Sequence, residues 1–330
     1  MRPTGEFALI DRFTRGMRGP GEAVVLGIGD DAAVLRPPPG QDLVATVDAV
    51  VEGVHFGAGF APEDVGYKAL AVNLSDVAAM GARPLWALSA LATPREADRG
   101  RLARIGRGLA SCARRFGVSV VGGNVTAARE LSLTVTVVGA VPRGRALLRS
   151  GARAGDLVLV SGTLGDAALG LAAGAAAPLL RRQRRPTPRV ALGRALSGIA
   201  RAAIDVSDGF LQDLSHLCEA SRVAARVELE DLPLSGPYRA AVAGRRDPFE
   251  AAASGGEDYE LVLAVPPERL GDALERAREC RTRLTVVGRL EPGRGVRVVK
   301  RGGGSYRPRS AGHDHLRPRG FLLGRRRSGA

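Results

Sequence analysis

The chain has 330 residues, of which 45% are hydrophobic and 25% charged, as expected for a globular protein large enough for two domains. Its net charge of +14 reflects either coding bias or an affinity for phosphate-bearing ligands, but only 4% of the residues are aromatic, which disfavours a nucleic-acid partner. The three cysteines are far apart and no apolar run reaches the roughly 18 residues of a membrane span, so we expect a cytoplasmic protein with no disulfide framework, zinc site or membrane partner.

The first half alternates between predicted strands and helices. Pro62 and the acidic residues that follow it are typical of a helix start, and Gly81 is typical of a helix end. We expect Gly122 and Gly123, at the end of a strand, to let backbone amides approach a phosphate, with Asn124 as a further oxygen ligand, although these residues could also form a plain tight turn. The predicted strands are 42–47, 85–92, 118–121 and 131–141, and the predicted helices are 62–80 and 95–116.

The second half predicts a separate α/β domain with antiparallel strands. The composition shifts to Arg and Gly around 143–154, so we predict domains at 1–142 and 143–315, with a disordered basic tail at 316–330. The predicted strands are 156–160, 203–206, 227–229, 259–265, 284–290 and 296–299, and the predicted helices are 163–180, 189–199, 207–221 and 268–278.

Carboxylates recur in apolar surroundings along the whole chain. Asp76 lies on a nearly all-apolar helix with no basic residue at helical spacing before Arg83, and burying it costs several kcal/mol unless it is paired or metal-bound. Thr46 and Asp48 share one face of a strand, although Asp48 could equally just end that strand. The other acids in this pattern are Asp30, Asp31, Asp205, Asp208, Glu257 and Asp258. We interpret the set as ligands of Mg²⁺ ions that carry nucleotide phosphates.

Two alternatives stay open at this point. Ser207 or Asp208 could be an ordinary helix N-cap, and His55 could be a hydrogen-bonded structural residue. The familiar nucleotide motifs are missing: the chain has no Walker A loop, no protein-kinase catalytic loop and no Gly-x-Gly-x-x-Gly. Any ATP chemistry therefore depends on acids, metal ions and glycine loops.

Taken together and in order, these motifs resemble the thiamine-monophosphate kinases, a family of the aminoimidazole-ribonucleotide-synthetase-like superfamily. The resemblance extends from residue 5 to about residue 315. It is carried by the segments 28–31, 52–56, 68–76, 122–124, 149–152, 161–166, 205–209 and 255–259.

The resemblance implies a two-domain α/β fold in which N-terminal mixed sheets form a barrel across a homodimer. It implies transfer of the γ-phosphate of ATP to thiamine monophosphate by direct in-line attack, which needs alignment and charge compensation more than a base. The implied catalytic residues are Asp31, Asp48, Asp76 and Asp205. The implied Mg²⁺ ligands are these four with Asp30, Thr46, Val47, Asn124 and Asp208. The implied ATP contacts are Gly123, Asn124, Arg149 and Ser207, and the implied substrate contacts are His55, Glu257 and His313.

The sequence departs from the family pattern at three positions. Val47 replaces a common second Thr, where only the backbone carbonyl could serve as a ligand. Gly106 replaces an aromatic residue near the nucleotide base, and His313 replaces a Tyr or Trp that packs on the substrate ring. These departures leave open a sister activity (selenophosphate or aminoimidazole ribonucleotide synthetase) and a non-catalytic thiamine-phosphate-binding homologue.

Overall fold

Two mixed sheets dominate the fold. In a computed structural model, the described residues are 10, 12–17, 23–57, 59–171, 175–310 and 312. A short antiparallel hairpin of β1 (Val24–Leu26) and β2 (Val34–Leu35) precedes the first sheet. None of the helices in these ranges is long and apolar enough to cross a membrane.

The first sheet has four strands in the order β3-β6-β4-β5. Its strands are β3 (Gln41–Val51), β4 (Arg83–Thr93), β5 (Ser119–Ala127) and β6 (Ser132–Pro142). Strands β4 and β5 are parallel and the other pairs are antiparallel, so the sheet is mixed, as expected.

The strand end predicted at residue 121 is wrong, because β5 continues through residues 122–124 and pairs with β4 as far as Ala127, which also excludes the alternative of a tight turn. A Cβ on Gly123 would lie 2.0 Å from the Ser89 carbonyl oxygen. The glycine therefore permits a close approach of two strands rather than a change of direction.

Helices α1 (Pro62–Ala79) and α2 (Arg99–Phe116) pack against each other almost backbone to backbone. A Cβ on Gly66 would lie 1.9 Å from the Ile105 carbonyl oxygen, and a Cβ on Gly108 would lie 1.9 Å from that of Glu63. The predicted start of α2 at residue 95 is too early, because the Asp98 side chain accepts the amides of residues 100 and 101 and caps the helix there.

The second sheet has seven strands in the order β13-β12-β9-β11-β7-β10-β8, and only its β9–β12 pair is parallel. Its strands are β7 (Leu157–Ser161), β8 (Ala202–Asp205), β9 (Ala224–Glu228), β10 (Leu261–Val265), β11 (Leu284–Glu291), β12 (Gly295–Val299) and β13 (Ser305–Tyr306). The helices are α3 (Asp166–Gly170), α4 (Ala177–Arg184), α5 (Val190–Leu196), α6 (Phe210–Ser221), α7 (Gly236–Val242), α8 (Glu250–Ser254) and α9 (Leu270–Glu279).

The single helix predicted over 163–180 is wrong, since α3 and α4 occupy this region as two helices. Pro178 lies in the first turn of α4, where a proline is tolerated, whereas within a continuous helix it would remove a hydrogen bond.

Helix α1 lies between the two sheets. It contacts β3 and β6 on the first-sheet side and β8 on the second-sheet side. Leu70 and Leu74 of this helix share one apolar core with Val135 of β6 and Leu261 of β10. The polar side chains in the middle of α1 are therefore held between the two halves of the molecule, away from bulk water.

Candidate active site

The first contact of the site joins β3 to α1. The Thr46 hydroxyl donates to Asp76 Oδ2 at 2.6 Å. Because alternate residues of a strand share a face, Asp48 points in the same direction as Thr46. Burial raises the pKa of Asp76, and the Thr46 hydroxyl and the charge of Arg149 oppose this increase.

Asp205 approaches the same point from the end of β8. Its Oδ2 atom is buried and has no hydrogen-bond partner within the part of the chain that the structure describes. Burial raises the pKa of Asp205 well above its usual value, and the negative charges of Asp76 and Asp48 raise it further. We call Asp48, Asp76 and Asp205 the open cluster, because the charges of Asp76 and Asp48 add to the rise in the pKa of Asp205, whose Oδ2 atom has no hydrogen-bond partner among the described residues.

The open cluster suits a hard cation that also binds phosphate. Over the described ranges, no three His, Cys, Asp or Glu side chains are grouped closely enough to hold a metal ion alone. Mg²⁺ in phosphate-transfer sites is usually held by one or two carboxylates together with substrate phosphates, not by a complete protein cage. The unpaired Asp205 oxygen and the all-oxygen donor set fit such an ion.

The loop after β8 is organised by Asp213, a residue that sequence reasoning did not single out. Asp213 Oδ2 accepts the backbone amides of Ser207, Asp208 and Gly209 at 3.1, 3.1 and 3.0 Å. Burial raises the pKa of Asp213 to about 7, against the effect of these amides. The N-cap position of α6 is Gly209 and carries no side-chain cap hydrogen bond, so neither Ser207 nor Asp208 is the N-cap of this helix.

A second group of contacts brings His55 and Glu257 together through Lys68. The Lys68 ammonium donates to Glu257 Oε1 at 2.6 Å and to the His55 carbonyl oxygen at 3.3 Å. His55 Nδ1 accepts the Val51 amide at 3.1 Å, so a neutral His55 ring carries its proton on Nε2. Two of the predicted substrate contacts thus lie next to each other.

Other predicted ligands do not meet the open cluster. Val47 is 59% exposed and faces away from Thr46. Asn124 is paired with Ala90 of β4, and the strand register continues this row of residues through β6 to Ala49 of β3. Because Ala49 is on the same face of the sheet as Val47, Asn124 also faces away from the open cluster. The metal roles of Val47 and Asn124 stay predictions.

Asp30 and Asp31 are exposed in the turn between β1 and β2, where the Asp31 amide donates to Asp30 Oδ1 at 2.8 Å. Their role as ligands also stays a prediction. Arg149 is exposed but near enough to Asp76 to lower its pKa, which is consistent with a phosphate contact. His313 lies outside the described residues.

The departure at Gly106 has a local explanation. A Cβ on Gly106 would lie 2.2 Å from the carbonyl oxygen of Phe13. An aromatic side chain at this position would require the segment that contains residue 13 to move. The glycine is therefore a packing requirement of α2 in this chain.

Lys68 and Tyr259 are the main residues of the site that sequence reasoning did not assign. Burial raises the pKa of Tyr259 well above its usual value, and the charges of Glu257 and Asp48 add to this effect, so the phenol lies among the acids. One signal could have identified Lys68: the chain has lysine only at positions 68 and 300, and position 68 is on an apolar helix. No comparable signal existed for Tyr259.

Two family models match most of the chain. Residues 29–141 match the family model of the AIR synthase related protein N-terminal domain, and residues 153–301 match that of the C-terminal domain. The two-domain mixed α/β fold class is thereby confirmed.

Individual relatives narrow the family. The thiamine-monophosphate kinase of Haemophilus influenzae is 40% identical over 298 residues, which cover 87% of this chain and 89% of that protein. The crystal structure of the thiamine-monophosphate kinase from Stenotrophomonas maltophilia K279a is 43% identical with a TM-score of 0.81, and the match covers 89% of this chain and 96% of that one. AaThiL complexed with AMPPCP and TMP is 35% identical with a TM-score of 0.75 and coverages of 94% and 97%. The chain belongs to the thiamine-monophosphate kinase family, as its sequence motifs predicted.

Proposed function

We propose that the protein transfers the γ-phosphate of ATP to thiamine monophosphate and so produces thiamine diphosphate. The observation that carries this proposal is the open cluster, in which a buried, unpaired Asp205 oxygen lies in the field of two further carboxylates. Membership of the family and the likeness to a structure that holds AMPPCP and TMP support it.

In this proposal Asp48, Asp76 and Asp205 hold Mg²⁺, with Thr46 and the exposed Asp31 as further ligands. Bound Mg²⁺ would supply charge neutralisation on the nucleotide phosphates. Asn124, Val47, Asp30 and Asp208 stay in the proposed ligand set with no contact yet to support them.

The other proposed role of the chain is to align the substrate phosphate with the γ-phosphate of ATP. The attacking group is a substrate phosphate oxygen that is already anionic, so no side chain has to remove a proton from it. Arg149, beside Asp76, would draw a nucleotide phosphate towards the open cluster, and Gly123 and Ser207 are its proposed neighbours at the nucleotide. His55 and Glu257 would orient the thiamine monophosphate.

A homodimer is part of the proposal. Leu43, Val47 and Leu88 lie on one face of the first sheet and are 48%, 59% and 44% exposed, which makes an apolar surface on the proposed barrel side. Leu43→Asp is expected to convert a dimer to a monomer in sedimentation equilibrium. An unchanged mass for this variant would contradict pairing through this face.

A direct assay tests the activity. Purified protein is incubated with ATP, Mg²⁺ and thiamine monophosphate, and thiamine diphosphate is measured by chromatography. We expect product that disappears with EDTA and with Asp76→Asn, and that persists in the control Asp272→Asn, whose carboxylate pairs with Arg269 on the surface. Bound ATP without any thiamine diphosphate would refute the proposal and favour a sister activity or a non-catalytic homologue.

A further inference from the structure

Lys68 is a buried cation that the phosphoryl-transfer scheme does not use. Its side chain is 1% exposed on α1, between the two sheets. Burying an ammonium group costs several kcal/mol unless it is paired, and the Lys68 ammonium lies 2.6 Å from Glu257 Oε1. The partner comes from the other half of the chain, 189 residues away in sequence.

Besides Glu257, the Lys68 ammonium contacts His55 and Phe60. Its ammonium donates to the His55 carbonyl oxygen at 3.3 Å and lies 5.7 Å above the centre of the Phe60 ring. The other carboxylate oxygen of Glu257 accepts a hydrogen bond from Gln183 Nε2 at 3.3 Å. One buried cation thus fixes the position of two proposed substrate contacts at once.

The Glu257 backbone is also held in an unusual conformation. Its φ angle is +68°, a left-handed value that costs energy for a residue with a side chain, and its amide donates to the Ser207 carbonyl oxygen at 2.8 Å. The Glu257 side chain is 21% exposed although its lysine partner is fully buried. The Glu257 carboxylate is thus partly accessible to a ligand, although Lys68 and Gln183 each contact one of its oxygens.

We propose that Lys68 is a positioning residue that holds Glu257 and the His55 backbone for recognition of the ring system of thiamine monophosphate. Glu257 then presents an oriented carboxylate to the amine-bearing, cationic rings of that substrate. This inference rests on the proposed function. It places the substrate rings at the joint between α1 and the loop before β10.

Calorimetric titration with thiamine monophosphate, in the presence of Mg²⁺ and AMPPCP, tests the inference. Lys68→Met is expected to weaken substrate binding by roughly tenfold to a hundredfold, the usual effect of losing a hydrogen bond to a charged group. Binding of AMPPCP is expected to stay within about twofold. The double variant Lys68→Met/Glu257→Gln is expected to lose less affinity than the two single losses combined, because Lys68 acts in part through Glu257.

Arg104→Met is the matched control. It removes a surface ion pair between Arg104 of α2 and Glu63, which lies on α1 as Lys68 does. It is expected to leave both affinities unchanged. If Lys68→Met does not fold, Lys68→Gln, which is shorter and uncharged, is expected to show the same selective loss.

Three results would overturn the inference. These are substrate affinity in Lys68→Met equal to that of Arg104→Met, equal losses for substrate and nucleotide, and additive effects in the double variant. Wild-type protein that binds no thiamine monophosphate would refute the proposed function and the inference together. Wild-type protein that turns the substrate over while Lys68→Met behaves like the control would refute only the inference.

Discussion

The molecule has two groups of carboxylates, and they differ in how their negative charge is compensated. In the second half, Glu260 is fully buried and is contacted by two guanidinium groups, with Arg189 Nε 2.6 Å from Oε2 and Arg182 Nη2 2.5 Å from Oε1. The Ser161 hydroxyl donates to the same carboxylate at 2.6 Å. In the open cluster, by contrast, Asp205 keeps an unpaired oxygen among like charges.

The neighbours of Glu260 are satisfied in the same way. Asp258 accepts the Gly165 and Ala167 amides at 2.6 and 3.2 Å, although burial still raises its pKa to about 7. Asp166 accepts the hydroxyls of Thr163 and Ser235 at 2.7 and 2.6 Å. We call Asp166, Asp258 and Glu260 the paired cluster.

The direction of the pKa shift separates Glu260 of the paired cluster from Asp205 of the open cluster. Burial acts to raise the pKa of Glu260, but Arg189 and Arg182 outweigh it, and the pKa is lowered overall. For Asp205 burial and neighbouring acids act in the same direction and raise the pKa. A carboxylate group that the fold compensates is part of the structure, whereas one that it leaves uncompensated is prepared for a cationic ligand.

The largest expected effect comes from the open cluster. Asp205→Asn is expected to lower kcat by about 10³-fold or more, because it removes a ligand of the ion that neutralises the phosphates. Its free energy of unfolding, measured by denaturant titration without Mg²⁺, is expected to stay equal or to rise, since a repulsive charge is removed. A kcat within twofold of wild type would contradict the role of Asp205 as a ligand of this ion.

The paired cluster is expected to respond in the opposite way. Glu260→Gln is expected to lower the free energy of unfolding by about 3–5 kcal/mol, because two buried guanidinium groups lose their carboxylate. The kcat of the folded variant is expected to stay within about twofold. The exposed pair of Arg276 and Glu279 provides the control, and Glu279→Gln is expected to cost less than about 1 kcal/mol.

The pH dependence of stability sharpens this contrast. Since the pKa of Glu260 is lowered from 4.5, its stabilisation is fully present above pH 4.5 and is lost as the pH falls below 4.5 through the folded-state value. The difference in unfolding free energy between wild type and Glu260→Gln is therefore expected to be constant from pH 7 to pH 5 and to shrink below 4.5. A difference that stayed constant to pH 3 would show that packing, and not charge, accounts for the loss.

The smallest expected effect comes from replacing Arg149, which lies at the edge of the open cluster. Arg149→Ala is expected to raise the KM for ATP about tenfold, as for the loss of one charge-assisted contact, with an unchanged free energy of unfolding. Arg276→Ala is the control for a lost surface arginine. An unaltered KM for ATP would remove Arg149 from the nucleotide site.

Local sequence patterns predicted much of the open cluster. The alternation of β3 placed Thr46 and Asp48 on one face, and the apolar helix around Asp76 indicated burial. These features depend on neighbours close in sequence, and periodicity reports such neighbours. The glycines at 122 and 123 were misinterpreted as the end of a strand because the strand that needs them, β4, is distant in sequence.

The paired cluster could not be predicted from the sequence. Arg182 and Glu260 are 78 residues apart, and no spacing rule connects them. The same holds for Lys68 and Glu257, which only the meeting of α1 with the second half brings into contact. Which acids are compensated is therefore a property of the three-dimensional structure, even where the acids themselves are conspicuous in the sequence.

The most direct test of the central claim is the thermal unfolding of wild-type, Asp205→Asn and Glu260→Gln protein titrated with Mg²⁺ and AMPPCP. The account expects Tm to rise by about 5 °C in wild type at roughly a hundredfold excess over Kd. The same rise is expected in Glu260→Gln from its lower starting Tm, and none in Asp205→Asn. An equal rise in Asp205→Asn would show that the open cluster does not hold the ion, and would contradict the account.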